Sequence, residues 1–169
     1  LRDLLGKGWL THDGMWFYHA YRELGIEKAN TINRAAIRSL APIEVKRAIK
    51  ILGVSDEKIR TVGELKNFLL EALELTLPYS VFEKINFSTS SSDLLRWEWE
   101  TEECFAYKGM KRIGLLDEYR CGVMYRIECW LEILGTKYAI NPKIDKCIMR
   151  EKGECFGNIR ILVENSSGD

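Results

Sequence analysis

The feature that most constrains the fold is a change of period at Pro78. Before it, apolar residues recur every three or four positions; in the two segments directly after it, they alternate. Leu1 to Leu24 contains no proline, keeps helical spacing and ends at Gly25, a C-cap residue. Gly6, Gly8 and Gly14 weaken it, so the pattern allows two helices broken near Thr11-His12-Asp13-Gly14. Ile26 to Leu40 reads as a further helix. Pro42 sits where a first turn tolerates it, so Ile43 to Leu52 reads as a separate one, stopped by Gly53. Ser55 to Ile59 reads as a capped turn. Thr61 and Glu64 make a capping box ahead of Leu65, Phe68, Leu69, Ala72 and Leu73.

Beyond Pro78, Val81 to Ser88 and Leu94 to Thr101 flank a polar turn at residues 88–93. Leu95, Trp97 and Trp99 alternate with Arg96, Glu98 and Glu100, which is the pattern of a strand with one face buried. A β-hairpin is expected. Helices follow over Glu102 to Ile113 and Leu116 to Leu134, closed by Gly114 and Gly135. Thr136 to Ile140, Lys146 to Arg150 and Cys155 to Glu164 read as strands. The last two are expected to form a hairpin on Glu151-Lys152-Gly153. Helices segregated from an antiparallel sheet make the fold class α+β. The expected organisation is a helical region over residues 1–78, a sheet-plus-helix region over 79–164 and a tail at 165–169, in one compact domain.

A chain of 169 residues can bury a sizeable core. Its 25 Lys and Arg balance 25 Asp and Glu, so no net field draws it to nucleic acid or to acidic lipid. Arg34, Arg38, Lys46, Arg47 and Lys50 read as a solvated helix face. No apolar run approaches the ~20 residues of a membrane span. No leader pattern stands at the start, so a cytoplasmic protein is expected.

Five cysteines in such a protein are expected as thiols rather than disulfides. Cys147 and Cys155 flank the expected hairpin turn. Cys121 and Cys104 each stand at a helix start, where the backbone favours thiolate, the metal-binding form. Four such cysteines would hold zinc, with iron the alternative; soft sulfur ligands exclude magnesium and calcium. The alternative is that they are small buried apolar residues. Cys129, between Ile127 and Trp130 in mid-helix, reads as core.

With Cys121, the helix Gly122 to Leu134, Cys147, Gly153, Cys155 and Phe156, the C-terminal stretch resembles the 4-vinyl reductase domain. The intervals of 26 and 8 residues between the three cysteines match the zinc site of sensor domains of that class. That resemblance implies a small-molecule-binding or sensing role. In those domains an acidic residue three positions before the second cysteine is a further ligand. Ile144 stands there in this chain, which leaves the place to Cys104, Asp145 or a water. Over most of its length the chain also resembles short prokaryotic proteins labelled as related to amino-thiazoline-carboxylate hydrolases. That likeness rests on His12-Asp13-Gly14-Met15-Trp16-Phe17, Ala41-Pro42-Ile43-Glu44 and the cysteines Cys104, Cys121 and Cys147.

His12, Trp16 and His19 share one helix face, as a ligand-lining set or as plain packing. Trp97 and Trp99 on one strand face read as core that could wall an apolar cavity, with Trp16 a further ligand-contact candidate. There is no HxxxH, GxSxG, GxGxxG or Walker A motif. The reading is therefore a metal-binding domain, with zinc on Cys104, Cys121, Cys147 and Cys155 and a small molecule against Trp16, Trp97 and Trp99. If only three cysteines bound, the open position could activate water for hydrolysis, with His12 or Asp13 as the acid–base group. A third possibility is a structural protein whose helical half forms a homodimer.

Overall fold

The structure is a computed structural model that describes residues 1–54, 59 and 61–162. The expected turn at 55–59 (but for Ile59) and the tail at 165–169 lie outside the described residues. Among the described residues the order is α1 (Arg2–Leu24), α2 (Ile26–Leu52), α3 (Val62–Thr76), α4 (Tyr79–Phe82), β1 (Ile85–Ser91) and β2 (Leu94–Trp99). Then come α5 (Phe105–Arg112), α6 (Gly122–Ile133), β3 (Tyr138–Asn141), α7 (Ile148–Lys152) and β4 (Cys155–Ile161). The strands form one antiparallel sheet in the order β1-β2-β4-β3. The fold is α+β.

The N-terminal helices are longer than the sequence suggests. Helix α1 is unbroken: Gly8 and Gly14 keep negative φ, and only Gly25, at φ 79°, leaves helical geometry. Helix α2 runs through Pro42. Proline removes one backbone bond, whose acceptor is the carbonyl of Arg38. Both residues are exposed, so water can take that carbonyl, while Ala41, Val45 and Ala48 stay buried on the other face. Burial of that face outweighs one lost hydrogen bond. Helix α3 starts on its expected capping box: Thr61 Oγ1 accepts from Glu64 N at 3.2 Å, and Glu64 Oε2 accepts from Thr61 N at 2.9 Å.

The hairpin β1–β2 forms with Leu95, Trp97 and Trp99 buried. On the other face of the sheet, the Arg96 guanidinium lies over the ring of Phe156, 4.1 Å from its centroid. The expected strand at Lys146 to Arg150 is a helical turn, α7, and β4 pairs with β2 on one side and β3 on the other. Cys147, Ile148 and Met149 are buried in succession. A strand with one wet face cannot bury three consecutive side chains, whereas a helical turn at a joint can. Gly153, at φ 78°, closes that turn. Helix α6 begins at Gly122, six residues later than the apolar run implies, because residues 115–121 are spent on the turns that lead into it. No helix among the described residues is long and apolar enough to cross a membrane.

Candidate functional site

Cys104, Cys121 and Cys147 are the N-cap residues of α5, α6 and α7. Three helix starts from distant parts of the chain therefore bring a thiol to one place. Cys155 joins them from the first position of β4, directly across the sheet from Trp99. All four line one small cavity of about 20 Å³, walled also by Trp99, Tyr119 and Val123. Cys129 is buried elsewhere, in mid-helix, as core.

Polar contacts fix this convergence. Asn30 is buried on α2; its Nδ2 donates to Glu118 O and its Oδ1 accepts from Arg120 N, both at 2.9 Å. Cys121 N donates to Asp145 O at 2.8 Å, which ties the start of α6 to the segment before α7. Arg150 Nε reaches Asp117 at 2.6 Å and Lys146 Nζ donates to Asp117 O at 3.2 Å across the same joint. Gly122 N donates to the Tyr119 hydroxyl at 2.9 Å. Glu102 N points at Met149 Sδ at 3.4 Å and holds the loop before Cys104 against α7.

Burial dominates the thiol chemistry. It pushes the Cys104 and Cys147 thiols up, Cys121 to about 11 and Cys155 to about 12. First-turn N–H groups work against burial without forming a capping hydrogen bond: Tyr107 and Ala106 at Cys104, Met124 and Val123 at Cys121, Arg150 and Met149 at Cys147. The Trp97 indole N–H does the same for Cys155 but makes no hydrogen bond of normal geometry. Without a cation, four neutral thiols result. With one, the same N–H groups would support thiolate. Among the described residues, no group of three or more His, Cys, Asp or Glu stands in metal-holding geometry. The donor set has the composition of a soft-metal site.

A second cavity, of about 60 Å³, lies between α1, α2, α3, α6 and the sheet. It has the room of several water molecules. Its walls are mostly apolar, with Ile37, Leu73, Ile85 and Ile127 among them, and Asp13, Asn33 and Arg126 supply polar atoms. Arg126 also stands 3.6 Å from Glu44, which accepts from Trp130 Nε1 at 2.9 Å. Trp99, Tyr119 and Val123 wall both cavities. Trp99 Nε1 is buried and has no hydrogen-bond partner.

The other sequence candidates are dispersed. Trp97 is fully buried but lines neither cavity. His12, Trp16 and His19 are exposed on α1; Trp16 Nε1 donates to His12 Nε2 at 3.2 Å. Trp16 borders a shallow groove between α1 and α2. Asp13 is exposed at the rim of the larger cavity, and Phe17 is buried edge-on against Tyr119. The motif His12 to Phe17 thus serves several faces of one helix. Sequence reasoning missed Tyr119, Val123 and Asn30. A lone Asn in an apolar helix face was the available signal for the last.

A solved structure of similar fold is that of trafficking protein particle complex subunit 3 from Naegleria fowleri, covalently bound to palmitic acid. It is 12% identical, with a TM-score of 0.57 over 96% of this chain and 95% of that one. At that identity the likeness concerns the fold alone. No curated protein matches the chain. Neither the fold neighbour nor the family match bears on the vinyl-reductase or hydrolase resemblance. Residues 3–151 match DUF6125, a family of unknown function, and the chain belongs to that family.

Proposed function

We propose that this chain is a cytoplasmic zinc-binding domain with a small-molecule-binding role. The observation that carries the reading is the gathering of Cys104, Cys121, Cys147 and Cys155 around one cavity. Four free thiols from four separate segments share a buried wall, and three of them cap helices. Zinc would supply there a strong crosslink between segments that otherwise meet through hydrogen bonds, ion pairs and apolar packing. Four thiolates leave no open position, so the role is structural rather than hydrolytic. His12 does not line the thiol cavity, which also weighs against a water-activating site.

The small molecule belongs in the neighbouring cavity. Its apolar walls suit a small apolar body, and Arg126 suits an acceptor group on it. The fold neighbour holds palmitic acid, an apolar chain, which supports an apolar ligand, but a cavity of about 60 Å³ takes only a much smaller one. Through Trp99, Tyr119 and Val123 the metal site would stiffen one wall of the ligand cavity.

Elemental analysis of protein purified without added metal tests the first half. About one zinc per chain is expected, and Cys147→Ser should lose it and melt earlier. Absence of metal, with five freely titrating thiols, would refute the site. The second half is tested by titrating short-chain fatty acids of graded length and following tryptophan fluorescence. Saturable binding is expected, and none at any length would remove the ligand role.

A further inference from the structure

Helix α1 presents solvent with a face that nothing in the described chain covers. Leu1, Leu4, Leu5, Trp9, Met15 and Trp16 are exposed on it, Leu5 at 63% and Trp16 at 68%. At 100° per residue they share one stripe with Gly8, His12 and His19. No Asp, Glu, Lys or Arg falls within that stripe over residues 1–19. Arg2, at its edge, turns away to donate to Leu77 O at 3.0 Å, at the C-terminal end of α3. The aromatic centre is already ordered. His12 stacks on Trp9 with ring centroids 6.0 Å apart and accepts the indole N–H of Trp16. Such a ladder loses little side-chain freedom on docking, and tryptophan is the residue that most often carries interface energy.

We infer that this face is the contact between two copies of the chain, packed α1 against α1 about a twofold axis. A twofold interface brings each residue near its own equivalent, so a charged stripe would repel itself, and this one carries no charge. Its exposed apolar side chains amount to roughly 700 Å² per copy, close to the ~800 Å² per partner of a stable interface. Gly8 lies at the middle of the stripe with open space around the position of a β-carbon, so two helices can approach closely there. A membrane surface fits less well. Interfacial helices carry basic residues flanking the apolar face. Here Lys7 is paired with Asp3 at 3.5 Å, Arg2 is turned to α3, and the chain has no net charge.

Sedimentation of the full chain across a wide concentration series is the test. A species of twice 19.6 kDa is expected. Leu5→Glu and Trp16→Glu, both at exposed positions, should each weaken association about a hundredfold while leaving circular dichroism unchanged. A monomer at every concentration would overturn the inference. So would a dimer that survives both substitutions, because it must use another surface. A monomeric wild type that floats with phosphatidylglycerol vesicles would assign the face to lipid instead.

Discussion

Trp97 on β2 and Gly157 on β4 stand opposite one another in the sheet, and the indole fills the space over the glycine. A β-carbon on Gly157 would run into Trp97 Cη2 and Cζ2 and meet the backbone oxygen of Asn141 at 2.8 Å. Two residues along, Trp99 faces Cys155 in the same register. The absent side chain at 157 therefore lets Trp97 lie down in the core next to the thiol cavity. Gly157→Ala should cost upward of ~3 kcal/mol, because one of the obstacles is backbone and cannot yield by a rotamer change. Urea denaturation measures this; a change within ~0.5 kcal/mol would mean that the sheet accommodates the methyl group.

The five cysteines should divide four to one. Alanine at Cys104, Cys121, Cys147 or Cys155 should abolish metal retention, whereas Cys129→Ala should keep it and cost only ~1 kcal/mol of packing. Metal content per chain, measured for all five variants, decides the matter. Loss of metal in Cys129→Ala would show that the cavity-lining set is not the binding set.

Asn30 should matter beyond its own helix. Its side chain satisfies Glu118 O and Arg120 N, two backbone groups on the approach to Cys121. Asn30→Ala should destabilise by ~2 kcal/mol, since both partners lose their hydrogen bond in a partly buried place. It should also make zinc easier to strip with a chelator. Unchanged chelation kinetics would confine Asn30 to a packing role.

Metal-free protein should lose stability in alkali. Burial raises the Cys121 thiol to about 11 and the Cys155 thiol to about 12, from an ordinary value of 9.0. Above pH ~9 the unfolded chain releases these protons while the folded chain keeps them, so folding stability declines as pH rises. The contribution is complete below pH ~9 and gone once pH passes the folded values. Thermal melts from pH 8 to 11 should fall steadily, and Cys121→Ala should flatten the slope. A level profile in the parent protein would mean that these thiols ionise as freely folded as unfolded.

Legibility in the sequence followed the range of the interaction. The capping box at Thr61 and Glu64 and the alternation of Leu95, Trp97 and Trp99 are local, and both are present as read. Pro42 was misread as a break because the exposure of that helix face depends on how α2 packs. The strand expected at Lys146 to Arg150 failed for a similar reason. Cys147, Ile148 and Met149 are buried together at a three-way joint, which no two-residue period describes. The place of Cys104 near a helix start was legible from the helix pattern, whereas the start at Cys121 lies six residues beyond the expected one. That Cys147 also caps a helix was not legible.

Period, capping and glycine stops, all set by neighbours a few residues apart, were enough for an α+β chain with helices first and a mainly C-terminal sheet. Residue type and a resemblance in spacing, rather than these local signals, singled out four cysteines. Only the packed chain could decide that those four thiols share a cavity, because their meeting depends on contacts such as Asn30 to Arg120, 90 residues apart. The same packing left the Trp9, His12 and Trp16 ladder outside while burying Trp97 and Trp99. An amphipathic pattern shows that a helix has two faces; the position of its neighbours determines which face is covered.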